Sequence, residues 1–249
     1  MRNILGLEEE KFYLSDDGDY NKIYDILTHM PNFVLSNETE VFYEDYFYDT
    51  PDKFLEQNRA SIRVRKYDDK QVLSIKYVSS NALQEEKVRE AYFDMPLNAD
   101  LPTYREAHLF LSNKINDIYA SHLDIDLVRK MRELKVYLVI YTDRTVFEMK
   151  NNRETKISVN FDRLAYQSKF LKGNDDTIKF ILENYPDKIN LEIFHHFIKE
   201  INKRVYIIND NESKFDAGKR IFNYDRYNKK YVEEEYEEED ENDEENKQN

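Results

Sequence analysis

Between Ala60 and Tyr67 the chain reads ASIRVRKY, and eleven residues beyond Arg65 a second run, LSIK, ends in Lys76. Side chains on a strand alternate between faces, so Arg63 and Arg65 share one face while Ile62 and Val64 share the other. A single antiparallel strand of this kind could turn its basic face to water. The pattern recurs, however. In EEKVREAYF, Lys87 and Arg89 share a face opposite Val88; in VYLVIYTDRTVF, Arg144 follows a long apolar run; in GLEEEKFYL, Glu9 and Lys11 share a face with Leu7 and Tyr13. Strands that each carry long basic side chains on one face, one with a carboxylate beside them, make an anion site if that face becomes an interior. Closing an antiparallel sheet into a barrel does this and removes its edges, whereas a β-sandwich needs the same face apolar. The expected fold is therefore α+β, a closed antiparallel β-barrel with flanking helices.

Other features narrow the chemistry. The four glycines, Gly6, Gly18, Gly173 and Gly218, allow neither a Walker A loop nor a dinucleotide fingerprint, so any phosphate must be held mainly by side chains. The absence of cysteine excludes disulfides, thiolate zinc sites and a cysteine nucleophile. Residues 231–249, YVEEEYEEEDENDEENKQN, hold eleven acidic residues and one lysine. Such a block cannot bury apolar surface and is expected to be a disordered acidic tail. Subtracting its −10 from the net −14 leaves −4 for residues 1–230, read as one domain. A bulk-basic nucleic-acid binder is disfavoured. The N-terminus reaches acidic residues too soon for a signal peptide, and no apolar run approaches the roughly 18 residues of a spanning helix. The expectation is a cytoplasmic protein without a membrane partner.

Periodicity gives the order of elements. A strand is predicted over Leu7–Leu14, then a helix through Ile23, Ile26, Leu27 and Met30, ending at Pro31. Strands follow at Val41–Tyr48, Ala60–Tyr67, Gln71–Val78 and Glu86–Phe93, the second and third of these in a tight hairpin. Helices are predicted after Pro102 around Leu109, Ile115, Ile118, Leu123 and Leu127. Strands return at Lys135–Met149, Thr155–Asp162 and Ile189–Phe194, with a helix at Asp175–Asn184.

The stretch YFYDTPDKFLEQNRASIRVR, the lysine of LSIK, and the segments EEEKFYL, TDRTVF, ISVNFDR, INLEIF and ESKFDAG, taken in this order, resemble the CYTH or triphosphate tunnel metalloenzyme superfamily. The similarity runs from about Leu7 to Phe222. It implies an eight-stranded barrel whose tunnel binds a triphosphate and a divalent metal, Mg²⁺ or Mn²⁺. It further implies that Lys11, Arg63, Arg65, Lys76, Arg89, Arg144 and Lys214, with Lys87 as an eighth, hold phosphate, and that Glu9 and Glu192 hold the metal. Lys11, Arg65 and Glu192 would be the catalytic members. The implied reaction is hydrolysis of an inorganic, nucleoside or organic triphosphate, with an RNA 5′-triphosphate end as the one nucleic-acid substrate considered.

Departures from the family pattern leave alternatives open. The first glutamate of the entry motif is replaced by Leu7, and Phe194 stands where a second late carboxylate would sit. Fewer acids resemble the polyphosphate polymerase branch, found in the vacuolar transporter chaperone complex, whereas the short spacing from DTPD to IRVR resembles the hydrolases. A non-catalytic polyphosphate- or nucleotide-binding module is the third reading. Asp143 and Asp162 are candidate general bases. The pair His195 and His196 would face opposite ways on a strand and could not share one ion.

Overall fold

The computed structural model describes residues 8–14, 17–80, 86–109, 130–151, 156–168, 172–174, 178–184, 190–210 and 212–222. The strands are β1 (Glu8–Leu14), β2 (Phe33–Asp49), β3 (Ala60–Lys66), β4 (Gln71–Ser80), β5 (Glu86–Met95), β6 (Lys135–Asn151), β7 (Lys156–Gln167), β8 (Lys172–Asn174), β9 (Ile178–Asn184) and β10 (Ile208–Asn209). The helices are α1 (Asp17–Thr28), α2 (Phe54–Gln57), α3 (Asn190–Asn202) and α4 (Lys214–Ile221). Every strand pairing is antiparallel, in the order β10-β1-β9-β7-β6-β2-β3-β4-β5, with β8 beside β7. The acidic segment 231–249 and most of the helices expected between 109 and 127 lie outside the described residues. Among the described residues no helix is long and apolar enough to cross a membrane.

Two expectations are corrected. The α+β class holds, but among the described residues the sheet has ten strands and is open rather than a closed eight-stranded barrel. The second edge of β1 is taken by the two-residue β10, through Phe12 with Asn209 and Tyr13 with Ile208, instead of by β5. The last helix and strand are also exchanged: the expected helix at 175–184 contains β9, and the expected strand at 189–194 opens α3. Ile178 and Phe180 alternate with Lys179, a period of two, whereas Phe194, Phe197 and Ile201 recur at three and four residues and are all buried. The apolar content of INLEIF suits a strand, but the helical period continues past it.

The sheet has an apolar face covered by α1 and α3. Phe12, Phe161, Phe180 and Phe147 pack there with Ile23, Ile26, Leu27, Phe194, Phe197 and Ile201. Their rings form a ladder across neighbouring strands, with centroids 5.8 Å apart for Phe12–Phe180, 5.1 Å for Phe161–Phe180 and 5.6 Å for Phe147–Phe161. Rings at these separations contribute beyond their buried area. A second cluster, around Ile62, Val64, Leu73, Ile75 and Leu55, anchors the β3–β4 hairpin.

The DTPD turn is structural. The Asp49 carboxylate accepts backbone N–H bonds from Thr50 at 2.7 Å, Leu55 at 2.9 Å and Glu56 at 3.1 Å, and so satisfies the orphan donors at the start of α2. Burial pushes its carboxyl up, against the pull of those three donors.

The opposite face is apolar only at one end, where α4 covers Phe47, Leu138, Ile140, Leu164 and Tyr166. Gly218 lets the helix lie close: a Cβ there would meet Leu138 Cδ2 and the Tyr166 ring at 2.9 Å. Both neighbours are buried, so the added methyl cannot be absorbed cheaply. Gly218→Ala is expected to destabilise the protein by about 1–3 kcal/mol, the usual cost of overpacking, although alanine is the better helix former; urea unfolding measures it.

Candidate functional site

Beyond the apolar end, the α4-covered face turns polar. Asp45 on β2 lies directly opposite Arg65 on β3. Its carboxylate is 1% exposed and takes a two-pronged bond from that arginine, Nε to Oδ1 at 2.7 Å and a terminal nitrogen to Oδ2 at 2.8 Å. Arg63, two residues earlier on the same face, places its Nε 3.7 Å from Asp45 Oδ1 and donates to Ser74 Oγ at 3.2 Å. Burial disfavours the Asp45 charge, but the fork from Arg65, with Arg63 and Lys214 behind it, holds the carboxyl below the ordinary range. Reciprocally, Asp45 outweighs desolvation and pushes the Arg65 guanidinium up.

The arrangement is repeated on the neighbouring strand pair. Asp162 on β7 lies opposite Arg144 on β6 and takes its fork at 2.6 and 2.8 Å. Asp162 is fully buried, and Lys214 Nζ reaches its Oδ2 at 2.6 Å. Burial is again overcome, here by Lys214 first and then Arg144, and the carboxyl is held low. Lys214 is the first residue of α4, delivered by Ser213, whose Oγ accepts the Asp216 N–H at 3.0 Å as the helix cap.

Tyr43 joins the two forks. Its ring lies 3.9 Å from Arg65 Cζ and 5.7 Å from Arg144 Cζ, and its hydroxyl accepts from Lys214 Nζ at 2.9 Å. Such cation–ring contacts strengthen as water is excluded. Four cations, Arg63, Arg65, Arg144 and Lys214, thus stand over two buried carboxylates. The carboxylates lie beneath, while the cations remain about one-fifth exposed. A guanidinium has five N–H donors and a carboxylate fork uses two, so the geometry offers preset donors to an anion.

The other sequence-predicted residues are placed less uniformly. Lys11 shares this face by alternation, on β1 across β9 from Asn160, two residues from Asp162. Lys76 is exposed on β4, two residues from Ser74. Register sets Arg89 opposite Tyr77 and Lys87 opposite Ser79, out of phase with Lys76, which pairs with Glu90. Glu192 is corrected: it lies exposed in the first turn of α3, not on a strand beside β1. The residue opposite Glu9 is Glu183 on β9. Asp143 is exposed and alternates away from Arg144, and Asp162 is doubly ion-paired and held low, so neither has the character of a general base. His195 and His196 are exposed on α3. Among the described residues, no three His, Asp or Glu side chains converge as a metal site.

No protein-family model and no curated protein matches the chain. Among solved structures, it is similar to a putative adenylyl cyclase from Hippeastrum, described as having a dominant triphosphatase activity. The two share 15% identity over 86% of this chain and 95% of that one, with a TM-score of 0.54. The likeness is one of fold. A putative adenylate cyclase from Bacillus halodurans matches at 14% identity, covering 86% and 98% of the two chains, with a TM-score of 0.45. An inorganic triphosphatase matches at 8%, covering 76% and 79%, with a TM-score of 0.29.

Because the site rests on Asp45 and Asp162, its stability depends on acid. Both carboxyls titrate below their unfolded values in the folded protein. The stability they confer is complete above the unfolded value of roughly 4 and is lost as pH falls through the lower folded values. Asp162→Asn, which removes the counter-charge shared by Arg144 and Lys214, is expected to cost on the order of 3 kcal/mol at neutral pH and to flatten the loss of stability below about pH 4. Thermal unfolding of both proteins across pH 2–7 checks this.

Proposed function

We propose that this chain is a phosphohydrolase that cleaves the terminal phosphoryl group of a triphosphate. The observation that carries the reading is the meeting of two aspartate-anchored arginine forks and Lys214 around Tyr43 on one sheet face. Charge-assisted bonds from arginine and lysine are the strong class for phosphate oxygens. The triphosphatase activity described for the Hippeastrum protein of the same fold supports this choice.

Catalysis of this kind needs positioning and charge neutralisation more than covalent chemistry. Arg63 and Arg65 would hold one part of the phosphate chain, and Arg144 and Lys214 the next. Their buried carboxylates fix the side-chain orientations before substrate arrives, so little reorganisation remains at the moment of transfer. Lys11 and Lys76 would extend the cationic face on either side. Glu9 and Glu183, opposite each other in register, are the carboxylates proposed for a divalent ion. One or two carboxylates completed by substrate oxygens and water suit Mg²⁺ or Mn²⁺, which would neutralise phosphate charge when bound. Glu192 is not proposed for this role.

Phosphate release from tripolyphosphate, ATP and thiamine triphosphate with each metal tests the reading, and turnover of none would sink it. Acid-insoluble polymer formed from ATP, with ADP as co-product, would assign phosphoryl transfer instead. Lys214→Met is the informative variant, because Asp162 keeps Arg144. A bond to a charged group is worth roughly 1.5–3 kcal/mol, so kcat/KM should fall about 10- to 100-fold while thermal unfolding stays cooperative.

A further inference from the structure

Lys179 and Asp210 form an ion pair that the proposed chemistry does not use. The separation is 2.5 Å, and the side chains are 2% and 0% exposed. Two charges this deeply buried are often no more stabilising than an apolar pair of similar size. Their location gives them another use.

Asp210 follows β10 and is tied on three sides. Its backbone N–H donates to the Lys11 carbonyl at 2.8 Å, Oδ2 accepts from Lys179 Nζ, and Oδ1 accepts from the Glu212 N–H at 2.9 Å. Glu212 in turn takes a fork from Arg220 at 2.9 and 3.0 Å, and Ser213 caps α4. Every residue of this tie lies within the turn that delivers Lys214, within α4, or on the sheet beneath. Lys179 also lies opposite Asp162 in register, and Asp162 is the carboxylate that Lys214 meets. With Asp210 as its counter-charge, Lys179 does not contend with Lys214 for Asp162.

We propose that Asp210 is a positioning residue for Lys214: clamped by Lys179, it holds Glu212 and the start of α4 so that the Lys214 ammonium is set over Asp162 and beside Tyr43 for a phosphate chain. The proposal rests on the triphosphate reading and adds residues that touch no substrate themselves. Asp210→Asn keeps the shape and the acceptor for Glu212 but removes the charge that clamps Lys179.

The test is calorimetric titration of the full chain with inorganic tripolyphosphate. No binding by the unaltered protein overturns the triphosphate reading and this inference with it. Given binding, folded Asp210→Asn is expected to lose at least tenfold in affinity, as is Lys214→Met. The double variant should be no more than about twofold weaker than Lys214→Met alone, because both changes remove the same contact. Arg63→Met, which lies outside the turn, should instead multiply with Asp210→Asn. Unchanged affinity in folded Asp210→Asn, or losses at 210 and 214 that multiply, would overturn the positioning role while leaving the triphosphate reading intact. If Asp210→Asn does not fold, the apolar pair Lys179→Met with Asp210→Leu is expected to fold and to show the same loss. Unaltered affinity there, or failure of that pair to fold as well, would make the ion pair a folding element only and overturn the proposal.

Discussion

A buried carboxylate held below its ordinary titration range by an arginine on the next strand is the interaction on which the rest of this molecule depends. Without Asp45 and Asp162, four cations would crowd one sheet face and lose the carboxylates beneath them. With them, Arg65 and Arg144 are each oriented by two bonds in the plane of the fork, and mutual repulsion is reduced. The open sheet matters here too. The cations gather through pairing between adjacent strands and through the arrival of α4, not through closure of a barrel.

The division of labour between the faces follows from the same alternation. On one, aromatic rings from β1, β9, β7 and β6 stack under α1 and α3 and supply apolar burial. On the other, α4 seals an apolar end and places a lysine at the border between dry and polar surface. Gly218 governs the height of that helix, so a backbone position with no chemistry of its own adjusts the depth at which a charged group meets the sheet.

Much of this was legible in the chain. Arg63 and Arg65 announced themselves by period-two alternation with apolar residues, Arg144 by the long apolar run before it, and Lys214 by its place in the family-like ESKFDAG run. Asp45 and Asp162 were harder to read, because an acid within EDYFY or NFDR looks like a solvated strand position until its cross-strand partner is known. Register is a property of two strands and cannot be read from one. The exchange of β9 and α3 has a different origin: INLEIF is apolar enough for either state, and only the later residues Phe197 and Ile201 reveal the helical period. That error carried Glu192 to the wrong element and hid Glu183, which stands opposite Glu9.

The bonds that define the site also join distant parts of the chain. Asp45 and Arg65 are separated by 20 residues, Arg144 and Asp162 by 18, but Tyr43 and Lys214 by 171. Contacts of such long range are entropically costly to form early, and they slow folding. Each arginine fork can form within a local strand pair as the chain leaves the ribosome. The lysine must wait for nearly the entire sheet and for the turn after β10. Assembly therefore has a built-in order, in which the protein is a folded scaffold with three of its four clustered cations before its last helix docks.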